Sequence, residues 1–177
     1  MPPQAVGLIA HTGKPGAAEL VRRLQTEFER AGVGVRLEDA TARLIGAETG
    51  WDVKQLGRET DLLVVLGGDG TILNVVSRLG DQMKPIFGIN IGSLGFLTCL
   101  NSSAAQEAVD AIVKGEYSFS ERALLRVEIG RDGDWREAAL VLNDVVISLG
   151  AIARLIRLRT RVNGERLSDC HAERHVR

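Results

Sequence analysis

The chain has 177 residues, of which 45% are hydrophobic and 25% charged, which is the composition of an ordinary globular protein. The formal net charge of −1 argues against a nucleic-acid partner. The chain has no apolar run of membrane-spanning length and its N-terminus is unlike a signal peptide, which argues against a membrane partner. Cys99 and Cys170 form neither a CxxC pair nor a metal-like cluster, so they are expected to be reduced thiols and no cysteine is predicted to bind a metal.

Short apolar runs alternate with helical patterns over the first two thirds of the chain. The pattern predicts strands at 6–10, 33–38, 61–66 and 85–90 and helices at 17–32, 71–80 and 103–115, the last capped by serine and closed by glycine. Residues 39–59 fit either helix or loop. Strands that are apolar on both faces and alternate with helices indicate a parallel sheet covered on both sides. We therefore predict an α/β domain over residues 1–118.

The pattern changes after Gly115. Longer alternating runs flank the turn-rich segment GRDGD, and a further run precedes the dipeptide NG, which is typical of β-hairpins. Strands are predicted near 124–129, 139–147 and 155–162. Residues 119–177 are expected to form the first strands of a β-rich second domain that is incomplete in this chain.

The segment LLVVLGGDGTILNVV, residues 62–76, joins a predicted buried strand to a helix. Ligands of open α/β sheets bind at this carboxyl edge. Glycines 67, 68 and 70 could take positive φ and form an anion nest in front of the helix N-terminus. Asp69 would repel a phosphate unless it accepts a proton from an attacking hydroxyl or holds a metal ion. The alternative is a tight turn in which Asp69 only bonds its neighbours.

Two further segments point to the same site, and the first of them should lie beside the GGDGT loop on the same sheet edge. GINIGSLGFL, residues 88–97, ends the next strand and carries Asn90 and Phe96, which could be core or could stack on a flat ring. LNDVVIS places Asn143 and Asp144 ahead of an apolar strand. That pair could bond ribose hydroxyls or an amide, or could begin the strand for reasons of turn geometry.

GGDGT, GINIGSLGFL and LNDVVIS, in this order and spacing, resemble the NAD kinase family from about Val6 to about Ala172. Lipid kinases and phosphofructokinases share only the GGDG element. The resemblance implies an enzyme that transfers a phosphoryl group from ATP, or in some members from polyphosphate, to the adenosine 2′-hydroxyl of NAD, giving NADP. It also implies Mg²⁺, a cytoplasmic location and homodimers or homotetramers.

The resemblance assigns roles position by position. Asp69 matches the general base, Phe96 the aromatic residue at adenine, and Asn143 and Asp144 the pair that binds ribose and nicotinamide. Arg154 matches a basic or histidine position near the dinucleotide, and Asn74 stands where members often carry a basic residue. The complete set of nucleotide-binding candidates is Gly67, Gly68, Gly70, Thr71, Asn74, Asn90, Phe96, Asn143, Asp144, Arg154 and His171.

The resemblance stops near the end of the chain. After VNGERLSDCHA the family continues with Asp-Gly, a strand and a GSTAY-like motif, whereas this chain reads ERHVR. A shortened or frameshifted product is therefore expected, with little activity and poor stability alone. The alternatives to NAD kinase are an inactive remnant that still binds nucleotide and another GGDG phosphotransferase acting on a lipid or sugar hydroxyl.

Overall fold

The computed structural model describes residues 1–93, 95–148, 156–172 and 175–176. The chain divides into two compact units, Met1–Leu142 and Asn143–Arg177. The division falls after a hairpin that the sequence pattern assigns to the second domain. The boundary predicted at residue 118 stays a prediction.

A five-stranded parallel sheet forms the centre of the first unit, with the strand order β2-β1-β3-β4-β5. Each strand pairs in parallel with its neighbour; Leu8 lies opposite Val64, for example. The predicted parallel α/β fold is therefore confirmed, and the short edge strand β5 is an addition to it. The strands are β1 (Ala5–Ala10), β2 (Gly34–Leu37), β3 (Leu62–Leu66), β4 (Ile86–Asn90) and β5 (Leu100–Asn101).

Helices cover both faces of this sheet, and they bury the central strand β3, which is apolar on both faces. Leu62, Val64 and Leu66 pack in one apolar cluster with α1, α2 and α5, while Leu63 and Val65 pack in another with α3 and α4. In the described part of the chain, no helix combines the length and apolar character needed to span a membrane. The helices are α1 (Ala17–Arg30), α2 (Asp39–Ile45), α3 (Val53–Glu59), α4 (Asp69–Leu79) and α5 (Ala105–Lys114).

Local capping explains the segment that the sequence pattern left open. The Glu38 carboxylate caps α2, and Asp52 forms a capping box with Gln55 at the start of α3. The serine cap predicted for α5 is wrong: a 3₁₀ turn over Ser102–Ala104 precedes the helix, whose N-cap residue is Ala104. Gly115 does end α5, in the left-handed conformation with φ 70°.

The predicted hairpin around GRDGD is present. Strands β6 (Leu125–Arg131) and β7 (Asp134–Val141) pair antiparallel. Asp132 and Gly133 between them have φ 54° and 87°, and two positive φ angles are the mark of a type I′ turn. The second strand starts earlier and ends earlier than the predicted range 139–147.

The second unit is also built from antiparallel strands. β9 (Ile156–Val162) and β10 (Glu165–Ala172) form a hairpin whose turn residues, Asn163 and Gly164, have φ 52° and 85°. The short strands β8 (Ile147–Ser148) and β11 (His175–Val176) pair with each other. Residues 143–146 lie outside any strand, so the strand predicted to follow Asn143 directly is reduced to β8.

A buried hydroxyl links the ends of two strands. Thr41 Oγ1, fully buried, accepts the Ala10 N–H at 2.8 Å and donates to Glu38 Oε2 at 3.2 Å. Thr41→Val keeps the shape but leaves the Ala10 N–H unpaired, so the free energy of unfolding in urea should fall by about 1–3 kcal/mol. Thr26→Val, at an exposed threonine of α1, should change it by less than about 0.5 kcal/mol. Equal losses in the two variants would contradict this reading.

Candidate active site

The junction between β3 and α4 lies at the carboxyl edge of the parallel sheet. Strand β3 is buried throughout, and the Gly67 N–H donates to Ile89 O of the adjacent strand at 2.9 Å. Gly68 is the N-cap residue of α4 and Asp69 its first residue, two positions before the predicted start. Gly68 supplies no side-chain cap, so the N-terminus of this eleven-residue helix presents backbone N–H groups and a partial positive charge.

The three glycines allow close packing or leave open space, and none of them adopts an unusual backbone angle. Gly67, Gly68 and Gly70 are all outside the positive-φ region, so the predicted nest of left-handed glycines is wrong. A Cβ on Gly67 would lie 2.3 Å from Thr71 Oγ1, whereas one on Gly68 or Gly70 would meet no atom within 4 Å. Gly67 therefore allows the helix to pack against the strand end, and the other two leave room beside it.

That room is part of a cavity of about 530 Å³. Four predicted site residues line it together: Gly68, Gly70, Thr71 and Asn74. The rest of the lining comes from α4, from the ends of β1 and β2 and from the residues that follow those strands. These additional residues are Ile9, Ala10, His11, Thr12, Lys14, Glu38, Ala40, Val75 and Arg78.

Charged side chains in this lining are the main feature that the sequence motifs did not indicate. Glu38 is 3% exposed, and its Oε1 accepts from Arg78 Nη1 at 3.1 Å. Its Oε2 accepts from the backbone N–H groups of Ala40 and Thr41. Lys14, by contrast, forms no ion pair with any residue that the structure describes. The sequence did contain a signal for Lys14, because the segment HTGK follows β1 and therefore lies at the same carboxyl edge of the sheet as GGDGT.

Asp69 is turned toward the neighbouring strand end. Its Oδ2 accepts the Phe96 N–H at 2.9 Å and its Oδ1 the Leu97 N–H at 3.0 Å. GINIGSLGFL therefore lies beside the GGDGT loop, as the shared sheet edge predicts. A Cβ on Gly95 would lie 2.2 Å from Asp69 Oδ1, so this carboxylate position requires a glycine there.

Asn90 and Phe96 have different surroundings. Asn90 is 3% exposed, and its Nδ2 donates to Ser93 O at 2.6 Å and to Thr98 Oγ1 at 3.3 Å, so its amide stabilises the loop that follows β4. The Phe96 side chain is 96% exposed and offers a free aromatic face.

The remaining predicted site residues belong to the second unit. Asn143 and Asp144 are exposed and precede β8. His171 lies in β10, opposite Arg157 of β9. Arg154 falls outside the described residues.

The site in the first unit combines two chemical functions. A helix N-terminus, a lysine and a threonine hydroxyl surround a cavity suited to phosphate oxygens. A carboxylate held by two N–H donors stands at the head of the same helix. The Asp69 carboxylate faces the loop after β4 and does not line the cavity, whereas its chain neighbours Gly68 and Gly70 do.

Comparisons with known proteins identify the family of this chain. The family model described as ATP-NAD kinase N-terminal domain matches residues 6–117. An NAD kinase of Geotalea daltonii is 37% identical over 95% of this chain and 59% of its own length. An NAD kinase of Aromatoleum aromaticum is 38% identical over 92% of this chain and 55% of its own length.

A solved structure, yeast NADH kinase complexed with NADH, superposes with a TM-score of 0.83 at 23% identity, over 98% of this chain and 57% of that one. This likeness confirms the fold. The chain spans somewhat more than half the length of the curated relatives that it matches. Because the family model covers more than half of the chain, the chain belongs to the ATP-NAD kinase family.

Proposed function

We propose that the protein containing this chain transfers the γ-phosphoryl group of ATP to the adenosine 2′-hydroxyl of NAD. The observation that carries the proposal is the placement of Asp69 at the head of α4, beside a cavity at the sheet edge, in a member of the ATP-NAD kinase family. The family match supports NAD over a lipid or sugar as the acceptor.

The cavity would receive the phosphates of the donor. Gly68 and Gly70 leave their part of the wall without side chains, and the α4 N-terminus offers N–H groups and partial positive charge. The Thr71 hydroxyl and the Lys14 ammonium add a polar donor and a full charge. The positive charge of these groups is opposite in sign to that of a triphosphate or polyphosphate, and they would orient the transferred phosphoryl group.

Asp69 would act as the general base. A carboxylate can take the proton of the 2′-hydroxyl as the hydroxyl oxygen attacks the γ-phosphorus. The bond from that phosphorus to the oxygen of the leaving ADP breaks in the same step. Phe96, with its exposed ring, would stack on the adenine of the acceptor. Asn143, Asp144, Arg154 and His171 remain the proposed contacts to the rest of NAD.

The described residues do not form a magnesium site of their own. The described ranges contain no group of three or more His, Cys, Asp or Glu that could hold a metal. Magnesium commonly binds to nucleotide phosphates and water with few protein ligands. No step is therefore assigned to the ion, and its use stays a prediction, as do the cytoplasmic location and the homodimer or homotetramer.

The proposal is tested in two forms of the protein. Binding of ATP and NAD is measured by calorimetry on the 177-residue chain. Turnover is measured on an extended protein, in which the chain is joined to the part of the Geotalea daltonii relative that lies outside the match. Formation of NADP from NAD and ATP is expected, with no phosphorylation of a sugar or diacylglycerol. Phosphorylation of either alternative acceptor in preference to NAD would overturn the proposal.

Lys14 provides a direct test of the donor site. Lys14→Ala should raise the Kd for ATP about tenfold or more, because a charge-assisted hydrogen bond from the lysine to a phosphate oxygen is lost. The melting temperature should not change, since the side chain is exposed. Lys54→Ala, at an exposed lysine of α3 outside the cavity lining, is the control and should leave the Kd unchanged. Equal Kd values for both variants would remove Lys14 from the donor site.

A further inference from the structure

The contact between Asp69 and the loop after β4 is not explained by nucleotide binding. The described part of the loop covers residues 91–93 and 95–99. The Asn90 amide donates to Thr98 Oγ1 at 3.3 Å, and the same oxygen accepts the Gly95 N–H at 3.1 Å. The loop is also tied to the sheet, because the Cys99 N–H donates to Gly88 O at 2.8 Å. These bonds hold the backbone of residues 95–99 where it passes Asp69.

This backbone aims two consecutive N–H groups at one carboxylate. Phe96 N–H and Leu97 N–H each bond a different oxygen of Asp69, at 2.9 and 3.0 Å. Two such bonds fix both the position and the rotation of a carboxylate, which a single bond would leave free to turn. Proton transfer requires the acceptor oxygen to lie within hydrogen-bond reach of the hydroxyl, so its orientation affects the rate.

Gly95 determines whether this arrangement can exist. A Cβ at this position would lie 2.2 Å from Oδ1, 2.5 Å from Cγ and 2.7 Å from Oδ2 of Asp69. All three distances are far below van der Waals contact, so any side chain would displace the carboxylate or the loop. Gly95 has no positive φ, so the requirement comes from the proximity of Asp69.

We propose that Gly95, with the N–H groups of Phe96 and Leu97, forms a clamp that positions the Asp69 carboxylate for proton acceptance. Gly95 is thus a positioning residue that acts through Asp69. The same loop carries the exposed Phe96 ring, so binding of a flat ring at Phe96 and orientation of the base depend on one backbone segment. The inference rests on the proposed function, in which Asp69 is the base.

The first experiment measures the clamp without turnover. Amide hydrogen exchange of Phe96 and Leu97 is followed by NMR in the 177-residue chain. In both Asp69→Ala and Gly95→Ala these amides should exchange at least about tenfold faster, since the acceptor is removed or displaced. Gly34→Ala, where a Cβ would make only ordinary contacts, should leave their rates within about threefold. Unchanged exchange in Asp69→Ala would overturn the clamp.

The second experiment is a double-mutant cycle on kcat in the extended protein. Gly95→Ala should lower kcat about 10²-fold when Asp69 is present, as expected for a misplaced catalytic group. In the Asp69→Asn background the same substitution should change kcat by less than about threefold, because the base is already lost. Equal decreases in both backgrounds would show a merely structural role and overturn the proposal. If wild-type protein forms no NADP, the proposed function and the positioning role both fail, while the exchange data still report whether the clamp exists.

Discussion

Replacing Asp69 with asparagine should lower kcat about 10²- to 10⁴-fold in the extended protein while the fold and NAD binding are retained. Asparagine keeps the shape of the side chain and one oxygen that can accept a bond from Phe96 N–H or Leu97 N–H. It cannot accept the hydroxyl proton at neutral pH, so only the chemical step should suffer. Steady-state kinetics, NAD calorimetry and a thermal melt measure the three quantities separately.

Asp81→Asn is the matched control for this substitution. Asp81 is an exposed carboxylate just beyond the end of α4 and outside the cavity lining. The same loss of charge there should leave kcat unchanged. A near-wild-type kcat for Asp69→Asn would show that Asp69 is a helix-end residue that only bonds the neighbouring loop, which is the tight-turn alternative.

Replacing Gly68 with valine should weaken ATP binding by at least about tenfold with only a small loss of stability. Gly68 has φ −106° and ψ −172°, an extended conformation that valine adopts readily. Its side chain would project into space that is open at present, within the cavity proposed for the donor phosphates. The stability cost should be about 1 kcal/mol, the usual effect of a poor N-cap residue.

Gly67→Val is the comparison variant, because a substitution at this adjacent glycine should lower the stability rather than the ATP affinity. A Cβ there would lie 2.3 Å from Thr71 Oγ1, so crowding should lower stability by about 1–3 kcal/mol. A thermal melt and ATP calorimetry on both variants separate the two effects. Unchanged ATP affinity in Gly68→Val would mean that this glycine belongs only to a turn.

Much of the fold could be predicted because its causes are local. Five apolar residues in β3 cannot face water on either side, so the strand must be central and covered by helices. The Asp-Gly and Asn-Gly turns require two positive φ angles, which these residue types tolerate. The junction motif could be placed as well, because a glycine pair between a buried strand and a helix marks the carboxyl edge of the sheet.

Tertiary structure alone decided the contacts at that edge. The sequence by itself determined that Asp69 stands at the junction of a buried strand and a helix. Its two N–H partners lie 27 and 28 residues away, on a loop set beside it by the pairing of β3 with β4. Lys14 and Glu38 reach one cavity because β1 and β2 end at the same edge, a long-range arrangement that no local spacing encodes. The glycines likewise kept ordinary φ angles because close packing, rather than backbone conformation, required the absence of a side chain at Gly67 and Gly95.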